Sequence, residues 1–191
     1  MDLRILIPVK PLGEGKSRLA PVLDEQGRRA LCDGFVRHTL EMATGLAPTL
    51  VVTRDPGVAA IAGAAKVIAE PPGADLNAAL DAGRRAVLGA DALLILPIDL
   101  PRLHATTLQR LWVRANHIVL VPDRSRTGTN LLLLPRAAIP GFRFAYGTDS
   151  FAAHQAEAKR LGIPLDIVDE PEAAFDVDAP EDYAELTRCL A

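Results

Sequence analysis

Aliphatic runs and helical periodicities take turns along the chain. LRILIPV (3–9), TLVVT (49–53), KVIAE (66–70), ALLILPI (92–98), HIVLVP (117–122), NLLLLP (130–135) and PLDIVD (164–169) are short and apolar, which predicts strands, most of them buried on both faces. Between them lie helical patterns. The first spans about Asp24 to Leu46, with Leu31, Phe35, Leu40 and Met42 at roughly helical spacing. VAAIAGA (58–64) is a short helix, and DLNAALDAGRRAVL (75–88) a longer one with Asp75 as its N-cap. Further helices are expected from about Ala105 to Ala115, over TDSFAAHQAEAKRLG (148–162) and over APEDYAELTRCL (179–190). The 148–162 pattern stops at Gly162, with Lys159 and Arg160 in the last turn, where the helix dipole favours cations. GFRFAYG (141–147) reads as a short strand or a loop, and PDRSRTGT (122–129) as a polar loop.

This alternation predicts an α/β chain, a Rossmann-like, mostly parallel sheet with helices on both faces and right-handed crossovers. No repeat, low-complexity tract or linker interrupts it, so residues 1–191 are expected to form a single domain. Aromatics are 4% of the chain, so Leu, Val, Ile and Ala must fill the core, and base stacking is a poor general strategy. A net charge of −3 speaks against a broad nucleic-acid or anionic-membrane surface; any anion site must be a local cluster of cations. Cys32 and Cys189 fit neither a metal spacing nor a disulfide framework. Asp2 and Arg4 interrupt any leader-like apolar run, and the longest apolar stretch is too short for a membrane span, so a cytoplasmic location is expected.

A local cation cluster does exist. Residues 10–18, KPLGEGKSR, follow the first strand, and ligands of open parallel sheets bind beyond the carboxyl ends of the strands. Gly13 and Gly15 allow close backbone approach, and Lys10, Lys16 and Arg18 can neutralise a triphosphate. The spacing is neither G-x-G-x-x-G nor the P-loop pattern; a solvated basic loop is the competing reading. Asp99, in LPIDLP, leaves the most aliphatic strand at the same sheet edge and can hold Mg²⁺ or simply cap a turn. In FDVDAPED, Asp176 and Asp178 point to one face of an extended segment and can share that cation, while Asp178 with Glu181 also reads as a capping box for the last helix. Gly128, Thr129 and Asn130 form a polar corner; Gly147, Thr148, Asp149 and Ser150 lead into a helix whose N-terminus suits a phosphate or carboxylate, or is merely capped by Thr148 or Asp149. Arg124 and Arg126 can add positive charge nearby, and Asn77 reads either a base edge, a ribose hydroxyl or solvent. His38, His104, His117 and His154 show no metal spacing and no Ser/His/Asp set, and read as surface or packing residues.

Together, IPVKPLGEGKSRLAPVL, LNAAL, LPIDLP, GTN, YGTDSFAAHQAEAKRLGIP and DVDAPEDYAEL resemble the phospholactate/phosphoenolpyruvate guanylyltransferase family of coenzyme F-420 biosynthesis, in order and over nearly the whole chain. The resemblance implies a nucleotide-diphospho-sugar transferase (GT-A) fold and GTP and Mg²⁺ as partners. It also implies a phosphorylated three-carbon acid as acceptor: 2-phospho-L-lactate, phosphoenolpyruvate or 3-phospho-D-glycerate. A homodimer is a family expectation. By position, Thr129, Gly147 and Ser150 correspond to the family's acid-phosphate positions, and Asp99 with the Asp176/Asp178 pair to its metal carboxylates. The alternatives are a nucleotidyltransferase for another acceptor, a sugar phosphate or molybdopterin, and a nucleotide-binding regulatory module without turnover.

Overall fold

Seven strands form one sheet in the computed structural model, which describes residues 1–188. In chain order the elements are β1 (Leu3–Pro8), α1 (Glu25–Thr44), β2 (Thr49–Thr53), α2 (Pro56–Ile61), β3 (Lys66–Ala69), α3 (Leu76–Arg85), β4 (Ala92–Ile95), α4 (Ala105–Trp112), β5 (Ile118–Pro122), β6 (Thr129–Pro135), α5 (Ser150–Leu161), β7 (Leu165–Ile167), α6 (Pro171–Ala174) and α7 (Pro180–Arg188). The order across the sheet is β3-β2-β1-β4-β6-β5-β7. All pairings are parallel except those of β6, which runs antiparallel to β4 and β5. The 141–147 stretch is a loop, and residues 12–14 and 17–19 make short 3-10 turns that apolar periodicity does not show.

The alternation of side chains along β1 explains the layers. Ile5 and Ile7 join Val36, Leu40 and Ala43 of α1 on one face, while Leu6 joins Leu80 of α3 and Leu93 and Ile95 of β4 on the other. β1, β2, β4, β5 and β6 are almost wholly buried, as their unbroken aliphatic sequences require. β3 is an edge strand and largely exposed. Asp24 and Asp75 cap α1 and α3 by accepting from the N–H groups of Gly27 and Ala78. Gly162, at φ 66, ends α5 in the left-handed conformation. Among the described residues, no helix is long and apolar enough to cross a membrane.

Two local devices aim the chain at the sheet's carboxyl edge. Val121 pairs with Leu131 and Pro122 with Thr129, so Asn130 is the extra residue of a β-bulge at the start of β6. The bulge turns Asn130 toward the 173–176 segment, where its amide donates to the Ala173 carbonyl at 2.8 Å and to Asp176 at 3.3 Å. A small separate core of Leu19, Phe35, Phe175 and Val177 then ties the turn after the basic loop, α1 and the 175–177 segment together.

Gly83 shows how closely α3 approaches the sheet. A Cβ there would lie 2.7 Å from Val52 Cγ2 and also meet Leu6, both of which are fully buried. Alanine gains about 1 kcal/mol in helix propensity, but overpacking a core costs about 1–3 kcal/mol. Gly83→Ala is therefore expected to lower stability in urea unfolding, whereas Gly34→Ala, on the exposed face of α1 with open space around it, raises it.

Candidate active site

The basic loop is held down from below. Asp55, the N-cap of α2, accepts from Gly57 N–H at 2.7 Å and, across 43 residues, from Leu12 N–H at 2.8 Å. Burial alone would raise its pKa; the backbone N–H groups of Leu12, Gly57 and Val58 outweigh that and hold it below the usual carboxylate range. Gly15 sits against Cys32, whose Sγ a Cβ would meet at 2.8 Å. Gly13 meets nothing within 4 Å, so its backbone is open to a ligand. Burial pushes the Cys32 thiol up, consistent with an inert side chain. Cys189 lies outside the described residues.

Lys16 leaves this loop in the left-handed conformation, at φ 53, a strained geometry for a residue with a side chain. It directs the ammonium inward. Lys16 Nζ donates to Asp99 Oδ2 at 2.5 Å and to Asp178 Oδ1 at 2.7 Å, with its side chain only 10% exposed. Burial would favour the neutral amine, but the charges of Asp99 and Asp178 outweigh it and raise the Lys16 pKa well above its ordinary value. Three segments distant in sequence, the loop after β1, the exit of β4 and the stretch before α7, thus meet at one ammonium. A backbone bond from Val177 N–H to the Asp99 carbonyl, 3.2 Å, fixes the second and third against each other. Asp176 turns to Asn130 instead; burial and the charges of Asp99 and Asp178 raise its pKa. Among the described residues, no three acidic, imidazole or thiol groups converge into a ready-made metal site.

The acidic segment differs from the capping box expected for it. Asp178 gives its carboxylate to Lys16, and Asp182, one residue beyond Glu181, reaches back to the N–H groups of Asp178 and Ala179 at 3.1 and 2.8 Å. The salt bridge thereby leaves capping to the next carboxylate along the helix. Arg102 lies 3.7 Å from the Phe175 ring centroid and Arg124 4.9 Å, both also paired with Glu185, so Arg124 braces this segment. Arg126 pairs with Asp169.

Two cavities meet at Asp99 and Asp178. One, of about 390 Å³, is lined by Lys10, Gly15, Lys16, Ser17, Arg18 and Asp99, among others. Lys10 and Arg18 are exposed and make no ion pair among the described residues, so their charges are available. The other, of about 670 Å³, reaches from Arg18, Asp99, Asp176 and Asp178 to Thr129, Gly147, Thr148 and Ser150. Thr129 N–H donates to Ser150 Oγ at 3.0 Å, which joins the bulge of β6 to the first turn of α5. Asp149, the N-cap of α5, makes no side-chain cap bond. Gly147, at φ 133, needs the freedom of glycine.

Asn77 corrects an expectation. Its amide spans the backbone of Tyr146, accepting from the N–H at 2.8 Å and donating to the carbonyl at 3.0 Å. Each end of the amide thus makes a backbone bond, so Asn77 fixes the loop before Gly147, a role its sequence position did not show. Of the two readings of His154, surface or packing, the structure shows the second and adds hydrogen bonds to it. It is wholly buried, with Nε2 3.0 Å from Ala145 N and Nδ1 3.0 Å from Thr129 Oγ1. Helical periodicity places it inward on α5, but its partners lie 9 and 25 residues away and leave no local signal.

A mostly parallel sheet carries a basic loop, paired carboxylates and a cavity with hydroxyls at its carboxyl edge, and its fold is that of the nucleotide-diphospho-sugar transferases. A crystal structure from Desulfovibrio desulfuricans G20 assigned to those transferases superposes with a TM-score of 0.74, covering 99% of this chain and 88% of its own; at 19% identity this bears on the fold alone. The family model "Guanylyl transferase CofC like" matches residues 3–188, and the chain belongs to that family of guanylyltransferases. Phosphoenolpyruvate guanylyltransferase of Rubrobacter xylanophilus is 42% identical over 97% of this chain and 94% of its own length. 3-Phospho-D-glycerate guanylyltransferase of Phenylobacterium zucineum is 36% identical over 91% and 84%.

Burial drives the His154 pKa down to about 4, against a smaller opposing effect of the Glu157 charge. The unfolded chain titrates this imidazole near ~6.5. Between those values the unfolded state binds the extra proton, so this contribution to stability is complete above pH ~6.5 and lost as pH falls toward 4. The stability difference between the native chain and His154→Gln, measured by urea unfolding, is expected to shrink over that interval and to be flat above it.

Proposed function

We propose that this guanylyltransferase joins GMP from GTP to a phosphorylated three-carbon acid and releases pyrophosphate, serving coenzyme F-420 biosynthesis in the cytoplasm. Phosphoenolpyruvate and 3-phospho-D-glycerate are the acceptors named for its relatives, and 2-phospho-L-lactate belongs to the same chemical class. One observation carries the reading: the Lys16–Asp99–Asp178 cluster stands between a cavity edged by the exposed cations Lys10 and Arg18 and a cavity that holds the Thr129 and Ser150 hydroxyls among carboxylates.

In this reading the triphosphate lies along residues 10–18, against Lys10, Arg18 and the open backbone at Gly13. Lys16 sits at the junction, where its ammonium follows the negative charge as it arrives. The acid's phosphate lies at Thr129, Gly147 and Ser150. A phosphate monoester has a second pKa of about 6, so at neutral pH its oxygen is already a nucleophile and no general base is required. That suits a site whose one buried imidazole is neutral and engaged in bonds to Ala145 and Thr129. The oxygen attacks the α-phosphorus, the bond to the pyrophosphate oxygen breaks, and the obstacle is repulsion between two anions.

The donor set fits a hard divalent cation. Asp99 and Asp178 already grip a positive charge, offer only oxygen ligands and open onto both cavities, with Asp176 behind them; Mg²⁺ typically takes one or two carboxylates plus phosphate oxygens. Asp99 and Asp178 would hold Mg²⁺, which would supply charge neutralisation on the phosphate oxygens.

Incubation with GTP, Mg²⁺ and each acid separately, with the coupled product identified by mass, tests the assignment. A guanylylated acid with stoichiometric pyrophosphate supports it, and no coupled product with any of the three contradicts it. Lys16→Ala is expected to lower kcat/KM by roughly 10²–10³-fold, the scale for loss of a preorganised donor; a loss below threefold in folded protein removes Lys16 from the mechanism. Asp99→Asn should weaken the dependence on Mg²⁺ without unfolding the chain, and an unchanged metal titration would contradict its role.

A further inference from the structure

The hydrogen bonds around His154 have a direction that their distances do not state. Ala145 N–H lies 3.0 Å from Nε2, and a backbone N–H can only donate, so Nε2 carries no proton. A buried neutral imidazole has one N–H, which must then be on Nδ1. Nδ1 is 3.0 Å from Thr129 Oγ1, so His154 donates and Thr129 accepts. The next bond continues the series: Thr129 N–H donates to Ser150 Oγ at 3.0 Å. Each hydroxyl oxygen has therefore accepted one hydrogen bond from the protein. Among the described residues neither has an acceptor for its own proton, and both line the cavity that also contains Gly147.

A hydroxyl is ordinarily ambivalent, able to donate or accept. Here we propose that His154 is a positioning residue: by donating from Nδ1 it leaves the Thr129 hydroxyl proton free to point into the cavity beside that of Ser150, so that the pair offers two donors to an acceptor-rich group such as an ionised phosphate or carboxylate. The opposite tautomer would set N–H against N–H at Ala145 and draw the Thr129 proton into the imidazole, away from a ligand. The surroundings support one state. His154 is packed by Tyr146, edge-on at 4.8 Å, and by Phe142 at 5.6 Å. The nearest carboxylate, Glu157, is engaged by Arg160 and by Arg143 N–H. Asn77 holds Tyr146 by both backbone groups, which keeps Ala145 N–H aimed at the ring. The proposal rests on the reading that Thr129 and Ser150 face the phosphorylated acid.

Two measurements separate the proposal from that reading. Nitrogen NMR of His154 in the free protein at pH 7 should show the Nδ1–H tautomer; the Nε2–H tautomer or an imidazolium overturns the proposal whatever the substrate is. In kinetics with phosphoenolpyruvate and 3-phospho-D-glycerate as separate acceptors, His154→Leu should raise KM for the acid by about tenfold or more, the scale of one hydrogen bond to a charged group, with KM for GTP changed less than twofold. His154→Asn, which keeps an N–H near the Nδ1 position, should recover part of that loss. In a Thr129→Val background, His154→Leu should add less than twofold. An equal effect in both backgrounds means that His154 acts on the fold rather than through Thr129, and overturns the proposal. If Thr129→Val alone leaves KM for both acids unchanged, the assignment of the cavity to the acid fails, even with the tautomer as described.

Discussion

A single ammonium between two carboxylates organises the carboxyl edge of this sheet. Without Lys16, Asp99 and Asp178 would face each other as like charges, with Asp176 close enough to add to the repulsion. Without the carboxylates, burial would pull the Lys16 pKa down and favour the neutral amine. Each partner offsets the other's charge, and the cluster ties the loop after β1 to two segments more than 80 residues away. Its strained backbone at Lys16 is held by contacts on either side: Asp55 beneath Leu12, and the packing of Leu19 against Phe35 and Phe175.

The same edge is asymmetric in charge and chemistry, and that asymmetry gives it a direction. On the β1 side, Lys10 and Arg18 are exposed cations that make no ion pair among the described residues. On the β6 side, Arg126 is paired with Asp169 and Arg124 with Glu185, and the cavity is lined by the side chains of Thr129, Thr148 and Ser150 together with the carboxylates of Asp99, Asp123, Asp149, Asp176 and Asp178. The Lys16 cluster stands between the two sides. The antiparallel insertion of β6 is what makes this arrangement: its bulge places Thr129 beside α5 and Asn130 beside Asp176.

Much of this was legible in the sequence because continuous aliphatic runs can only be buried strands, and because the residues after β1 and β4 must emerge at one edge of a parallel sheet. That reasoning brought Lys16, Asp99 and Asp178 together before any coordinates. It could not show that the ammonium is held by the carboxylates rather than free for phosphate, since that depends on distances of a few ångström. It also missed the supports. Asp55 drew no reading at all, Asn77 read as a ligand contact or a solvent-facing amide and His154 as a surface or packing residue, because the role of each is defined by a partner remote in sequence: Leu12, Tyr146 and Thr129. The capping residue of α7 was misplaced for a related reason, as a long-range ion pair took Asp178 away from a local bond.

The most direct test of the account is a double-mutant cycle between Lys16 and Asp99, read from urea unfolding of Lys16→Met, Asp99→Asn and the pair. Contacting charges in a shared network should show a coupling energy of about 0.5–3 kcal/mol, with the double variant less destabilised than the sum of the single ones. Strict additivity would mean that the ammonium does not bind the two carboxylates in solution, and would contradict the organisation of the site described above.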